Sequence, residues 1–352
     1  MTAVDSTSFT HLINLADGQL GAKTIDCSDD FFAAAENLVK PGRGEFDPDA
    51  YYDRGKVMDG WESRRKRGPG HDWCVLKLGA AGHVRAFDID TNHFLGNHPP
   101  YASIDAARSD TAPSGTDDAA WTRILDVVPL RPGSMNPFIL PSDPTWPAWT
   151  HLRLNIYPDG GVARLRAHGV VEAPRSVEEG RRQLDETLAS KMRPSEIDLA
   201  AVTNGGLALA CSDSFFGPMN NLILPGRSVN MGGGWETRRR RGPGHDWIIV
   251  RLGVPGTPRI IELDTNFFKG NYPDTASVHG IMAPDASLLD LVDPDAPWTR
   301  ILDATKLAAH DRRFLRDELV DVGPCSHVRL RVDPDGGVSR LRVCGDPVWE
   351  SR

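Results

Sequence analysis

The sequence lacks the features that mark membrane, secreted and nucleotide-binding proteins. No apolar run approaches the roughly 18 residues that a membrane-spanning helix needs. The segment from Met1 to Thr10 has neither a basic start nor an apolar core, so no signal peptide is predicted. No strand-like segment leads into a glycine-rich phosphate loop. We therefore expect a soluble, cytoplasmic protein that binds no nucleotide.

Cysteine and net positive charge are also scarce. The five cysteines are an odd number and include no CxxC pair, so reduced and mostly buried thiols are predicted rather than disulfides or a zinc site. They are Cys27, Cys74, Cys211, Cys325 and Cys344. The formal net charge is −8, so no overall basic field attracts nucleic acid. We expect neither a nucleic-acid partner nor a membrane partner.

Internal repetition is what the sequence has in abundance. The segment MDGWESRRKRGPGHDW (58–73) returns as GGGWETRRRRGPGHDW (232–247), with 12 of 16 positions identical. Other motifs recur in the same order, namely CSD(D/S)FF, DTNxFxGNxP, WTRIL and a segment centred on PDGG. The copies lie about 175 residues apart, too far for solenoid repeats, so each copy should be a complete domain.

The repeats divide the chain into two modules and a connector. We predict module 1 at 1–175, a helical connector at 176–196 and module 2 at 197–352. Ser176 and Glu179 have the spacing of a capping box, which predicts one helix from Ser176 to Lys191. Module 1 has about ten extra residues between Arg43 and Trp61, with the composition of a surface loop.

Within each module the hydrophobic period is two. Apolar residues alternate with polar ones along 152–156, and PDGG then leads into a second strand, so a β-hairpin is predicted there and in module 2. Segments beginning at Trp73 and Trp247 read as buried strands that end at Gly79 and Gly253. Short strands separated by Gly, Pro and Asp predict an all-β sandwich or jelly roll.

The joint pattern GWE(S/T)RR(K/R)RGPGHDW, DTNxFxGNxP and WTRIL, present twice, resembles the allantoicase family. The resemblance extends from about Asn14 to Gly345. It implies two tandem jelly-roll domains of the galactose-binding-like type. It also implies a hydrolase of C–N bonds in linear amidines, which converts allantoate and water to ureidoglycolate and urea in allantoin and purine degradation. We expect no required cofactor, allantoate as the partner, and a homo-oligomer.

The chemistry of allantoate suggests which residues should act on it. Its carboxylate suits the planar fork of arginine, its two ureido groups suit amides and carboxylates, and expulsion of urea needs an acid and a base. The predicted catalytic residues are His71, Asp72, Glu62, His245, Asp246 and Glu236. The predicted substrate-binding residues are Arg64, Arg65, Asp90, Asn92, Asn97, Arg238, Arg239, Asp264, Asn266 and Asn271.

Each of these motifs also has a structural interpretation. The His-Asp-Trp unit is able to cap a strand, Asp, Asn and Gly are ordinary turn residues, and arginine runs commonly form solvated faces. A divalent metal held by His71, Asp72 and Asp90 is an alternative, although their spacing matches no zinc signature. His93 would add a ligand in module 1, but module 2 has Phe267 there. The rival functions are a tandem small-ligand- or carbohydrate-binding β-sandwich without catalysis, and a structural assembly protein.

Overall fold

The computed structural model describes residues 9, 11–53 and 55–349. The chain divides into two compact units, 1–172 and 173–352. The strands of the first unit are β1 (Ile13–Asn14), β2 (Lys23–Cys27), β3 (Tyr51–Tyr52), β4 (Gly55–Lys56), β5 (Trp61–Glu62), β6 (Asp72–Asp90), β7 (Tyr101–Ala107), β8 (Thr122–Pro129), β9 (Pro137–Ile139), β10 (Trp149–Tyr157), β11 (Gly161–Val162) and β12 (Arg164–Val171).

The described residues of the second unit repeat this order without counterparts of β3 and β4. Its strands are β13 (Ile197–Asp198), β14 (Leu207–Cys211), β15 (Trp235–Glu236), β16 (Asp246–Asp264), β17 (Thr275–Ile281), β18 (Thr299–Lys306), β19 (Arg312–Leu315), β20 (Cys325–Asp333), β21 (Gly337–Val338) and β22 (Arg340–Pro347).

Helices are few and short. The α-helices are α1 (Val177–Gly180), α2 (Glu186–Lys191) and α3 (Leu288–Val292). Single turns of 3-10 helix lie at Gly18–Leu20, Ala35–Val39, Asp118–Ala120, Val202–Asn204, Met219–Ile223 and Met231–Gly233. Within the described residues, every helix is too short or too polar to cross a membrane.

One long strand in each unit belongs to both layers of a sandwich. The first half of β6 pairs with β10 and β2, and its second half pairs with β12 and β9, all antiparallel. The main sheet order is β1-β12-β6-β10-β7-β8, and the second unit has the equivalent order β13-β22-β16-β20-β17-β18. Side chains that alternate along these strands fill the interior between the layers. The prediction of two all-β jelly-roll modules is confirmed.

The predicted ends of the buried strands at Gly79 and Gly253 are wrong, because both strands continue through the glycine. A Cβ atom on Gly79 would lie 2.7 Å from Leu20 Cγ, and one on Gly82 would lie 2.8 Å from Leu15 Cδ1. The missing side chains therefore allow the loop before β2 to pack closely against β6 where it passes from one layer to the other.

The hairpin predicted around PDGG is also wrong. The flanking strands β10 and β12 pair with different halves of β6 and not with each other. The turn carries the chain between layers, and β11 pairs with β5 through Val162 and Trp61. Gly160 has a φ of 139°, and a Cβ atom on Gly161 would lie 2.0 Å from Phe94 Cδ1. The two glycines thus provide a left-handed backbone conformation and a close approach to an aromatic ring.

The tryptophans of the two GWE motifs lie in the core. Trp61 and Trp235 are fully buried, and each indole Nε1 donates to a backbone carbonyl, that of Asp29 at 2.8 Å and that of Asp213 at 2.9 Å. All five cysteines are free, and three of them are buried. The prediction of reduced, mostly buried thiols is confirmed.

The connector contains two short helices rather than the single helix predicted over Ser176–Lys191. Asp185 interrupts that helix because its side chain accepts a hydrogen bond from the backbone N–H of Leu188 at 3.0 Å and so caps α2. The same carboxylate binds Arg312 at 2.8 Å. Leu188 packs into a buried cluster with Ile260 of the second unit, which anchors α2 to that unit.

Candidate active site

In the second unit, four of the repeated motifs meet at one open pocket of about 500 Å³. Glu236 lies on β15, and its carboxylate accepts a hydrogen bond from the side-chain amide of Asn271. The backbone carbonyl of Asn271 accepts from the N–H of Gly337 at 2.8 Å, and the N–H of Phe216 donates to the carbonyl of Glu236 at 3.2 Å. The backbone therefore holds this glutamate–asparagine pair in place.

Two arginines line the same pocket, and among the described residues only Arg240 has an ion-pair partner. The guanidinium of Arg240 forms an ion pair with Asp246, and the backbone N–H of Arg240 donates to Asp335 Oδ2 at 2.8 Å. Arg239 is exposed and has no ion pair with any residue that the structure describes. Its guanidinium is therefore available to an anion that enters the pocket.

The first unit has the equivalent pair in different surroundings. Asn97 Nδ2 donates to Glu62 Oε1 at 2.7 Å, beside a pocket of about 380 Å³. Burial raises the pKa of Glu62, and the hydrogen bond from Asn97 partly opposes this. The other residues that line this pocket include Phe32, Phe46, Met58, Leu95, Lys56 and His93. The first pocket thus has two ionisable side chains, Lys56 and His93, in place of the two arginines of the second.

The insertion of module 1 forms one wall of the first pocket. It contains the exposed strand pair β3 and β4, and Tyr51 and Tyr52 are 65% and 67% exposed, so the predicted surface loop is confirmed. Lys56 Nζ lies 4.7 Å from the centre of the Phe46 ring, and both residues line the pocket. The described residues of the second unit contain no counterpart of this strand pair.

The structure does not pair His71 with Asp72. His71 Nε2 lies 3.3 Å from Asn155 Oδ1, and its ring centre lies 4.6 Å from that of Tyr157. Asp72 is buried, and its Oδ1 pairs with Lys66 Nζ at 2.8 Å. Consecutive residues at the start of a strand point to opposite faces, which separates the two side chains.

The second copy of this motif is divided in the same way. Asp246 is buried, accepts from Ser212 Oγ at 2.8 Å and pairs with Arg240. His245 lies near Arg331, and burial followed by that charge lowers its pKa. Neither His245 nor Asp246 is among the described residues that line the Glu236 pocket. Catalysis by His71, Asp72, His245 or Asp246 stays a prediction.

The aspartates that end β6 and β16 bind arginines that the sequence reasoning missed. Asp90 accepts from Arg43 Nε and Nη2, both at 3.0 Å, and Asp264 accepts from Arg227 at 2.8 and 3.1 Å. The backbone N–H groups of Asn92 and Asn266 donate to the same carboxylates at 2.9 and 2.8 Å. The available signal was the Pro-Gly-Arg triplet that ends in each arginine, at 41–43 and 225–227.

Two of the predicted substrate-binding arginines form surface ion pairs. Arg64 Nη2 lies 2.6 Å from Asp29 Oδ2, and Arg238 Nε lies 2.9 Å from Asp213 Oδ2. The side chains of both arginines are more than 60% exposed. Each pair ties the GWE loop to the CSD loop, and its partner already satisfies the guanidinium.

The proposed metal ligands do not converge. His71, Asp72 and Asp90 have different partners, and both carboxylates are paired with a cation. No group of three or more His, Cys, Asp or Glu side chains able to hold a metal occurs within 11–53, 55–349 and residue 9. The expectation that no cofactor is required stays a prediction, which a chelator tests.

Residues 13–172 and 197–348 each match the family model of the allantoicase repeat. The chain belongs to the allantoicase family. Among its relatives, "Probable allantoicase 1" of Burkholderia mallei is 47% identical over 335 residues, which cover 95% of this chain and 94% of that protein. "Probable allantoicase" of Pseudomonas paraeruginosa is 45% identical over 344 residues, 97% of this chain and 98% of that protein.

Solved structures of the allantoicase family have the same architecture. The crystal structure of allantoicase from Saccharomyces cerevisiae matches with a TM-score of 0.77 and 31% identity, and the match covers 98% of each chain. A second allantoicase structure matches with a TM-score of 0.75 and 32% identity, over 97% of this chain and 94% of that one. The family and the fold predicted from the repeated motifs are both confirmed.

Proposed function

We propose that this member of the allantoicase family hydrolyses allantoate to ureidoglycolate and urea at the pocket around Glu236. The observation that carries the proposal is a carboxylate held by an amide beside an arginine without an ion pair. Arg239 supplies the cation for the substrate carboxylate, and Asn271 supplies an amide for a ureido group. Glu236 is the acid–base group.

The number of polar side chains in the pocket favours the second unit over the first. Allantoate carries a charge and two ureido groups, so a pocket must provide several hydrogen bonds to replace those from water. The second pocket offers Thr237, Arg239, Arg240 and Tyr272 in addition to its glutamate–asparagine pair, whereas the first adds only Lys56 and His93 to its pair. The second pocket therefore offers more side chains that can replace the hydrogen bonds of such a substrate to water.

The reaction needs only proton transfers and one bond exchange. Water contributes its oxygen to the central carbon of allantoate, the bond from that carbon to one ureido nitrogen breaks, and a proton from water ends on the leaving nitrogen. Glu236 takes that proton from water and delivers it to urea. Asn271 keeps the carboxylate oriented during both transfers.

A urea-release assay tests the function. The purified protein should release urea and ureidoglycolate from allantoate and leave the cyclic compound allantoin unchanged. A preparation that binds allantoate without releasing urea would instead support a ligand-binding β-sandwich. The same assay with a chelator tests metal dependence, because lost activity that returns with a divalent cation would show a metal requirement.

Arg239→Met tests the proposed carboxylate anchor. The substitution removes a charge-assisted contact to bound substrate, which is worth about 1.5–3 kcal/mol, so KM should rise by roughly ten- to a hundredfold. Arg65→Met is the matched control, because Arg65 holds the equivalent position in module 1 and does not line the pocket there. Equal effects of both substitutions would contradict the assignment.

A further inference from the structure

The two units differ at two positions on the sheet face where the first unit buries a carboxylate. Asp105 of β7 accepts hydrogen bonds from Arg153 at 2.8 and 3.1 Å, from Asn155 at 2.8 Å and from Arg123. Burial alone would raise the pKa of Asp105, but these donors lower it overall. One carboxylate thus satisfies two arginines and an amide from the neighbouring strands.

The second unit keeps the donors and replaces the carboxylate. His279 of β17 is the structural equivalent of Asp105 of β7. Asp105 lies opposite Arg153 and Arg123 on its neighbouring strands. His279 lies opposite the equivalent arginines, Arg329 of β20 and Arg300 of β18. Arg331 replaces the amide of Asn155 and so adds a further cation. The substitutions remove the internal anion and increase the positive charge around its place.

The described partners leave this cationic cluster incompletely satisfied. The buried Nε of Arg329 and the buried Nδ1 of His279 have no hydrogen-bond partner among the described residues. Arg331 approaches Asp333 only to 3.7 Å, whereas Arg300 is held by the exposed Asp303. Burial and the neighbouring arginines lower the pKa of His279 to about 4, so it is neutral near pH 7. Buried polar atoms without partners cost stability, and the unpartnered Nε donor of Arg329 favours an anion that supplies an acceptor.

We propose that the second unit binds a small carboxylate anion at Arg329 and Arg331, where the first unit holds the carboxylate of Asp105. The guanidinium forks match the two oxygens of a carboxylate. Trp298 covers the site from one side, with its ring centre 4.9 Å from the guanidinium carbon of Arg329. None of these residues lines the Glu236 pocket, so this site does not depend on the proposed reaction.

The test uses acetate as the probe and tryptophan as the reporter. The full chain, labelled with fluorotryptophan, is titrated with acetate, and chloride at equal ionic strength is the control. The Trp298 resonance, assigned with Trp298→Phe, should shift saturably with acetate and not with chloride. Trp121 is the matched internal control, because it lies over Arg153 at 5.2 Å in the unit whose carboxylate is already present. Its resonance should not move.

Two substitutions at His279 complete the test. His279→Asp restores an internal carboxylate that repels the probe, so acetate affinity should fall by more than about tenfold and the melting temperature should rise. His279→Asn adds no charge and should keep the response to acetate. The proposal is overturned if acetate and chloride act alike, if Trp121 and Trp298 move equally, or if His279→Asp binds acetate as the wild type does. The proposal is also overturned if the Trp298 shift depends on protein concentration and not on acetate. That result would mean that an acidic side chain of another copy binds at this site.

Discussion

Asp88 and Asp105 are both buried acids of the first unit. Replacing each by the neutral asparagine should change the free energy of unfolding in opposite directions. Among the described residues the Asp88 side chain has no ion pair, and it accepts one hydrogen bond, from the backbone N–H of Asn136 at 2.9 Å. Burial, followed by the nearby charge of Asp90, raises the pKa of Asp88 to about 6 from an ordinary value of 3.8. The fold therefore disfavours its ionised form.

The shift of about two units corresponds to about 3 kcal/mol, since each unit is worth about 1.4 kcal/mol. An acid whose pKa is higher in the folded protein stabilises the fold fully at pH values below its unfolded-state pKa. This stabilisation is lost as the pH rises through its folded-state pKa. Asp88→Asn cannot ionise and still accepts the bond from Asn136. At pH 8 it should be more stable than the wild type by up to about 3 kcal/mol, and the gain should vanish between pH 6 and 3.8.

Urea unfolding of wild type, Asp88→Asn and Asp105→Asn at several pH values between 3.5 and about 8 measures both effects. The pKa of Asp105 is lowered overall, so Asp105→Asn should destabilise at neutral pH by about 3–5 kcal/mol, because two arginines lose their buried partner. That loss should shrink as the pH falls. A gain for Asp88→Asn that persists below pH 4, or a loss at pH 8, would refute the reasoning.

Two further substitutions test the fold and the histidine hypothesis. Gly161→Ala places a methyl group 2.0 Å from Phe94 Cδ1 and should destabilise the protein by about 1–3 kcal/mol, seen as a lower melting temperature, and an unchanged melting temperature would contradict the packing. His245→Asn should keep turnover within about tenfold, because His245 lies outside the Glu236 pocket. A loss of about 100- to 10,000-fold at unchanged stability would restore His245 as the acid–base group.

The repeats made the architecture predictable, but they did not reveal strand pairing. Two long copies of one motif series predict two similar domains, and period-two alternation predicts strands. The pairing around PDGG was wrong because alternation is local, whereas the partner of β10 is the distant strand β6. Gly79 was interpreted as a strand end, although it marks close packing on Leu20 within a continuous strand.

The residue types of the candidate site were predictable from the sequence, but which of these residues share one pocket was not. Glu236 and Arg239 were both predicted and both line one pocket, and Asn271 was predicted as well. His245 and Asp246 were grouped with them because they are close in sequence, yet strand alternation turns these neighbours to opposite faces. The role of Arg227 was missed because its partner Asp264 lies 37 residues away along the chain.

The most direct test of the central claim compares Glu236→Gln with Glu62→Gln in the urea-release assay. Each glutamine keeps an oxygen to accept the bond from its asparagine partner, so the fold should be retained, which melting curves will check. We predict that Glu236→Gln lowers kcat by about 100- to 10,000-fold, since it removes the acid–base group, while Glu62→Gln stays close to wild type. A fully active Glu236→Gln, or a loss confined to Glu62→Gln, would contradict a catalytic pocket in the second unit.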